Sequence, residues 1–592
     1  MPNTLIITQY QTRINDLEKQ LQAISRKVFT YSLIRFAIFA GIVLSIYFYI
    51  RQDYPVILLF VAMAAVALFL FVVKQHAEIK YQQTILNNLI KINHNEIAIL
   101  SQKPSFLPDG ATYHLNYSYS ADLDVFGPRS LYHMIQRCFS EPGRKKLANW
   151  LINPGIDQPT IVKKQAAVAS VEDDIELRQE LLAHGLAQFT KDDLKFYLDK
   201  PLIEASTFRK IKVIRWIPPL ITLSSIVAAL ILSNNNIILY GFLLNLILTG
   251  LFLKSTMQLM QRADDTLKNL KNYKEPLQVL IRHDYKNELL QEKKEKLLFI
   301  YHQLSILQKR YNLLENRSNL LVGLLLNGFL GYDFIALSLV QNWYESNASK
   351  IPGWLDDIAW FEALFSLSTF AFNKPSYTFP VLDQEMGIKG MNIRHPFIPD
   401  TENIGNALDF TAPMKVILLT GSNMSGKSTF LRSLGVNQVL TLAGSVVAAD
   451  AFHTGLYDIL TSFRKADSIQ EHTSLFYDEL KKLRHIITTL EESERPALIL
   501  LDEILRGTNS DDKYYGSKQV LLRLKDQPAM TMLATHDIAL AKLEDHHGPV
   551  IQNFSFESQI QDGELHFDYK LHRGVAVNKN AAFLMEKMGI IK

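Results

Sequence analysis

Lys415 to Thr429 reads KVILLTGSNMSGKST, and this stretch decides the fold. Val416, Ile417, Leu418 and Leu419 form a short unbroken apolar run, the pattern of a buried parallel strand. Gly421 then opens the spacing G-x-x-x-x-G-K-S, and a helix is expected from about Lys427. Strand, glycine-rich turn and helix start in that order make a phosphate cradle. Gly421 and Gly426 permit positive φ, which turns backbone N–H groups onto a phosphate, and the helix points its positive end at the same place. Ser422, Asn423, Met424 and Ser425 complete the loop, with Thr429 on the first helical turn. Lys427 would reach the β- and γ-phosphates, and Ser428 would place its hydroxyl on Mg²⁺. ATP and Mg²⁺ are the expected ligand and cofactor.

Two further strand ends supply the rest of a hydrolytic site. Ala497 to Leu501 is a second buried strand ending in Asp502 and Glu503. There one carboxylate, Asp502, can hold the metal shell with Ser428, and the other, Glu503, can orient or deprotonate the attacking water. Met530 to Leu533 is a third strand, running into Ala534, Thr535 and His536. His536 at that tip is a candidate γ-phosphate sensor, so the catalytic candidates are Glu503, Lys427 and His536. Arg506 to Ser510 is a polar loop suited to a subunit interface. Residues 377–592, with short apolar runs and then strand and helix alternation, form an α/β nucleotide-binding domain.

The 592 residues allow about three or four domains. A net charge of +3 with 20% charged residues gives no global signature of a nucleic-acid binder. The single cysteine, Cys138, excludes an intramolecular disulfide framework and zinc clusters built from several cysteines. Apolar residues are concentrated instead. Tyr31 to Ile50 and Pro55 to Val73 are runs of about twenty residues, the length that crosses a hydrocarbon core of about 30 Å. Trp216 to Leu232 and Ile237 to Leu253 form a second, shorter pair. Arg26, Lys27 and Lys74 flank the first pair and Lys210, Lys212, Arg215 and Lys254 the second. The positive-inside rule therefore puts all these ends in the cytoplasm.

The expected organisation is a cytoplasmic segment 1–28, a transmembrane hairpin 29–74, a helical core 75–210, a second hairpin 211–254, a helical core or lever 255–376, and the domain 377–592. Asn319 to Val340 is long and apolar but carries Asn327 and Asp333. A fifth span would move the cradle outside, and an aspartate in lipid is costly, so this stretch is expected to be one or two core helices packed against protein. The expected setting is a multi-pass protein of a bacterial inner membrane, with its ATPase domain in the cytoplasm.

These motifs resemble the MutS family of DNA mismatch repair ATPases, within the ABC-type group. TGSNMSGKSTFLR at Thr420–Arg432, LLDEILRGTNSDD at Leu500–Asp512 and ATHDIAL at Ala534–Leu540 are each similar to a segment of that family. IRHPFI at Ile393–Ile398 resembles its turn beside the adenine, which implies a nucleotide contact for His395. GRKKLANWLINP resembles the start of the family's all-α core. The resemblance implies an ABC/MutS-type ATPase domain behind that core, and a homodimer in which Ser474, within SIQEHTSLFYDEL, completes the partner's site. His472, Ser425 and Leu505 stand where the family has glycine. Two apolar spans stand in this sequence where the family's aromatic mismatch-reading domain would be, so that domain is not expected before the core, and Phe139-Ser140-Glu141 is read as a chance match to its three letters.

The functional expectation is a membrane-anchored MutS-like ATPase that makes clamp-like changes on DNA, with itself, DNA and the lipid bilayer as partners. One alternative is an ATP-driven membrane scaffold or remodelling protein without DNA. Another is an ABC-type transporter, against which stands the scarcity of polar residues in the spans. The basic cluster Lys293, Lys294, Lys296, Lys309 and Arg310 would be the place for DNA on the helical arm, but it interleaves with Glu292 and Glu295 in a charge run that reads first as a solvated face, so it leaves the DNA and non-DNA readings open.

Overall fold

The computed structural model describes residues 2–591 except 52–56, 116–117, 154–156, 190–204, 317–319, 384–386, 423, 464–474, 494, 562–563, 577–584 and 586–587. Two long helices open the chain, α1 (Pro2–Arg51) and α2 (Ile57–Leu100). Gln83 on Ser25, His76 on Ser32 and Phe69 on Phe39 pair them in antiparallel register. At about 1.5 Å per residue α1 is about 75 Å long, more than twice the thickness of a hydrocarbon core. Its first turns bury Ile6, Tyr10, Ile14 and Leu17, while Phe36, Phe39 and Val43 further on are exposed. The expected boundaries at 28 and 74 therefore fall inside continuous helices, each carrying an apolar half and a half packed into the core.

The helical body follows: α3 (Tyr119–Asp122), α4 (Leu131–Ile135), α5 (Glu141–Ile152), α6 (Gln158–Ser170), α7 (Ile175–Gln188) and α8 (Ala205–Ile214). Next come the apolar pair α9 (Ile217–Leu232) and α10 (Asn236–Leu251), then α11 (Leu253–Lys271), α12 (Lys274–Arg282) and α13 (Glu288–Asn316). The last three are α14 (Leu320–Leu330), α15 (Tyr332–Asn347) and α16 (Ile351–Phe372). Among the described residues three helices are long and apolar enough to cross a membrane, Thr4–Ile50, Phe60–Leu100 and Phe208–Leu232, and Asn236–Leu251 is a shorter apolar helix.

Helix α16 is the axis of the core, buried on nearly every side from Ile358 to Ala371. Its Glu362 accepts from the N–H groups of Phe139 and Ser140, both at 2.9 Å, and so anchors the start of α5. Full burial pushes the Glu362 carboxyl up to about 7, against the opposing pull of Ser140 and Arg144. At the other end of α16, Asn373 takes the Tyr10 hydroxyl (2.8 Å) and donates to Glu96 (2.7 Å), which also holds the Arg137 guanidinium. One buried polar network thus fastens both long N-terminal helices to the core.

The C-terminal domain contains β1 (Val381–Leu382), β2 (Gly387–Ile393), β3 (Asn406–Thr411), β4 (Val416–Gly421), α17 (Lys427–Ala443), β5 (Ala451–Thr454) and β6 (Asp458–Ser462). It continues with α18 (Leu475–Glu492), β7 (Ala497–Asp502), α19 (Ser510–Lys525), β8 (Ala529–Ala534), α20 (Leu543–His547), β9 (Ile551–Gln561) and β10 (Glu564–Arg573). One sheet has the order β1-β5-β2-β3, and the other β10-β9-β4-β8-β7-β6. The second is parallel except for β10. The predominantly apolar strands β4, β7 and β8 are buried on both faces, as expected of central parallel strands.

Asp122, at the end of α3, joins the two regions. Its buried carboxylate accepts from Thr461 Oγ1 (2.8 Å), Phe463 N (3.1 Å) and Lys482 Nζ (2.9 Å). Two residues on, Asp124 pairs with Arg432 of α17. Asp122→Ala leaves an ammonium, a hydroxyl and an amide without their acceptor, so it is expected to cost about 3 kcal/mol. A lowered urea midpoint checks this, and an unchanged midpoint would mean that the junction does not hold the domains together.

Candidate nucleotide site

The register of the six-stranded sheet sets Leu419 opposite Ala534, and Ala534 opposite Asp502. The carboxyl ends of β4, β8 and β7 therefore meet, where ligands of open parallel sheets bind. The loop after β4 takes the shape its glycines predict. Gly426 sits at φ 109 as the N-cap of α17, and a Cβ at Gly421 would lie 2.6 Å from the Phe556 carbonyl oxygen on β9. Ser425 Oγ donates to Ser422 O (2.9 Å), so serine serves where glycine was the expected residue.

Lys427 Nζ donates to the carbonyls of Gly421 (2.9 Å) and Ser422 (2.8 Å) and lies 3.4 Å from His536 Nε2. Burial lowers this ammonium to about 8, with Asp502 opposing and Arg506 assisting. His536 is lowered to about 4 by burial and by the cations Lys427, Arg506 and Lys513, so it is neutral at pH 7. Its Nε2 is also 3.4 Å from Glu503 Oε1. The imidazole tautomer thus decides whether Lys427 donates to the ring or the ring donates to Glu503. The other Glu503 oxygen pairs with Arg506.

Glu503 occupies the left-handed region at φ 52, its N–H bonded to Ala534 O (2.9 Å). This turn lets Asp502 and Glu503 both leave the strand towards the site. Leu505, at φ 60, is in the same region, which explains why glycine is the expected residue there. Its side chain is buried in the cluster containing Leu501, Ile504 and Leu521, which offsets the backbone cost.

A cavity of about 650 Å³ opens over these residues. Met424, Ser425, Gly426, Lys427, Ser428, Thr429, Asp502 and His536 all line it, so most of the sequence-predicted set is gathered in one place. Gly421 and Ser422 contribute from behind through the carbonyls that hold Lys427. Asn423 and Ser474 lie outside the described residues.

His395 does not itself line the cavity. It is buried with its Nδ1 accepting from Phe397 N (3.3 Å), and its ring stands edge-on to Phe397 at 4.9 Å. It shapes the turn, while Phe397 and Ile398 form the cavity wall. Burial holds it at about 4 and hence neutral. Sequence reasoning also missed Asn403, whose side chain donates to His395 O (2.8 Å), and Tyr569, which reaches over Gly426 from β10. Nothing in the chain's periodicity marks Tyr569, because its place depends on the pairing of two late strands. Arg506, expected at an interface, lines the cavity as well.

The donor set fits a polyphosphate with a hard cation. A cradle that admits no Cβ at Gly421 and a lysine resting on carbonyls leave a cationic seat, with one hydroxyl and one carboxylate beside it. Among the described residues no group of three or more His, Cys, Asp or Glu is placed to hold a metal alone, so Ser428 and Asp502 would share Mg²⁺ with phosphate oxygens.

The lowered Lys427 value has a measurable sign. Above about pH 8 the lysine loses its proton in the nucleotide-free protein, and a bound polyphosphate favours the charged form. ATP binding at pH 9 is expected to take up about one proton and at pH 6.5 none, with affinity falling above pH 8. Calorimetry in buffers of different ionisation enthalpy checks this, and zero uptake at pH 9 would place the charge elsewhere.

The family model for MutS domain V matches residues 417–588, which contain every strand end just described. The chain is 32% identical over 254 residues to the DNA mismatch repair protein MutS of an Exiguobacterium species, covering 42% of this chain and 29% of that protein. It is 30% identical over 237 residues to the MutS of Natronomonas pharaonis, covering 39% and 27%. Against the MutS of Chloroflexus aurantiacus the figure is 31% over 254 residues, covering 42% and 26%. The chain thus spans under a third of the length of these curated relatives.

Proposed function

Starting from a chain that belongs to the MutS family through its C-terminal region, we propose a membrane-anchored, Mg²⁺-dependent ATPase that works as a dimer. The observation that carries the reading is the convergence of Lys427, Ser428, Asp502 and His536 on one cavity at three strand ends. When bound, Mg²⁺ would neutralise charge on the phosphate oxygens. Lys427 would leave the Gly421 and Ser422 carbonyls for the phosphates, and neutral His536 would hydrogen-bond a phosphate oxygen. Glu503, once free of Arg506, would accept a proton from the attacking water. The dimer follows from the family, with Ser474 of each copy completing its partner's site. The apolar halves of α1 and α2 and the pair α9–α10 would anchor the protein in a bacterial inner membrane, with the ATPase domain in the cytoplasm.

The partner that ATP acts on is a separate question. The relatives' name, DNA mismatch repair protein, makes DNA the first reading, with the helical core closing on it. A second reading, a membrane machine that does not hold DNA, is favoured by the candidate basic cluster. Lys293 pairs with Asp357, Lys294 with Asp284 and the His283 carbonyl, Lys296 with Glu292, and Arg310 with the Leu339 carbonyl. Protein-internal acceptors thus hold four of those five cations, and Lys309 stays exposed.

ATP turnover in lipid nanodiscs, with no DNA and with matched, mismatched or branched DNA at two salt concentrations, separates these readings. Phosphate contacts to DNA weaken steeply with salt. Stimulation that fades with salt supports the DNA clamp. Turnover indifferent to every DNA supports the membrane machine, and no turnover at all contradicts the ATPase proposal.

A further inference from the structure

Helix α14, LLVGLLLNGFL, differs from every helix around it in the core. It carries no charge, and Leu324 (47%) and Leu325 (53%) are exposed, as are Phe329 and Leu330. By contrast its neighbour α15 buries Phe334, Leu337, Val340, Trp343 and Tyr344. The apolar face of α14 is therefore left open, although a helix inside a soluble core would have covered it.

What α14 does touch is the apolar pair α9–α10. Phe329 meets Phe242 of α10 at 5.0 Å, and a Cβ on Gly328 would fall 2.1 Å from the Phe242 ring. Thr222 Oγ1 of α9 donates to Phe329 O (2.6 Å). Asn245 Nδ2 of α10, fully buried, donates to Gly328 O (3.0 Å) and Pro218 O (3.2 Å) and lies 2.9 Å from Thr222 Oγ1. Those donors satisfy carbonyls in the last turn of α14, which the helix itself cannot pair. Satisfying them from neighbouring helices is what a non-aqueous setting demands.

The chain then turns through Gly331 at φ 59, and Gly323–Leu330 meets the helical stretch Tyr332–Phe372 at 87°. Asn327 and Asp333 bridge the corner through bonds of 3.0 and 3.1 Å, so the aspartate that argued against a membrane segment sits on the core side of the bend. A Cβ on Gly331 would lie 2.4 Å from Pro218 Cγ, which places the corner at the start of α9, and Arg215, just before that helix, donates to Ser338 of α15 (3.0 Å). Helices α13 and α15 are tied by Arg310 to Leu339 O, so the chain leaves and rejoins the core on one side. Eleven residues span about 16 Å, half of a hydrocarbon core.

The geometry points to α14 as a re-entrant half-helix, a third lipid-embedded element stapled to the α9–α10 hairpin, with acyl chains as the partner of its Leu324–Leu325 face. This rests on the proposed membrane insertion of α9–α10. It replaces the expectation of a core helix packed against protein.

Bimane on single introduced cysteines, in the full chain reconstituted with brominated phosphatidylcholine, tests it. Cys138 is fully buried, so the unmodified chain serves as the labelling blank. Leu243→Cys on α10 reports the hairpin, Glu292→Cys on α13 gives the aqueous baseline, and Leu325→Cys and Leu324→Cys report α14. Quenching at both α14 sites of at least half that at Leu243→Cys is the expected result. Quenching at Leu243→Cys with baseline values on α14 overturns the proposal and leaves the hairpin standing. Baseline values at all sites overturn both.

Discussion

Glu503→Gln is expected to bind ATP with near-parental affinity while turnover falls by about 100-fold to 1000-fold, the usual scale for loss of a general base. Glu503 lies behind the cavity, held between Arg506 and His536, so it contributes little to the seat in which the phosphates rest. Glutamine keeps the size and the hydrogen-bonding reach but cannot take the water's proton. Bound, unhydrolysed ATP should then hold the proposed dimer together, seen as a stable increase in mass by light scattering. Equilibrium binding with single-turnover kinetics checks the split. A parental rate would mean that another group positions the water, with His536 the next candidate.

Lys427→Ala is expected to fail earlier, at binding. The ammonium rests directly on the cradle's own carbonyls, at the place phosphates would occupy. Its loss removes charge-assisted hydrogen bonds to the most highly charged part of ATP, so Kd should rise at least about 100-fold, or about 2.7 kcal/mol. The two variants therefore separate: one binds and stalls, the other does not bind. If Lys427→Ala bound ATP normally, the cavity over β4 would not be the phosphate seat.

The sequence made the site legible where chemistry is local. A glycine spacing after an apolar run predicts a cradle because only that backbone can make it, and Gly421, Gly426 and Lys427 sit as expected. Strand ends carrying Asp502 and His536 were equally readable, since parallel strands deliver their carboxyl ends to one edge. Tyr569 and the wall at Phe397 depend on which distant segments pair, which no local pattern encodes. The motif at His395 located the turn but not which of its side chains faces the cavity, which here are Phe397 and Ile398.

The long apolar helices show the same division. Length and hydropathy marked both hairpins, but composition alone could not say that α1 and α2 continue unbroken into the core. Nor could it show that Asn327 and Asp333 meet across the bend at Gly331, because that contact depends on how α14 and the following helix are set against each other.

The central claim is tested most directly by floating lipid vesicles carrying the full chain up a density gradient and assaying MgATP hydrolysis in the floated fraction. The account predicts that the protein rises with the lipid after a carbonate wash and hydrolyses ATP there until EDTA removes the Mg²⁺. A floated protein without EDTA-sensitive turnover, or a chain left behind by the vesicles, would contradict it.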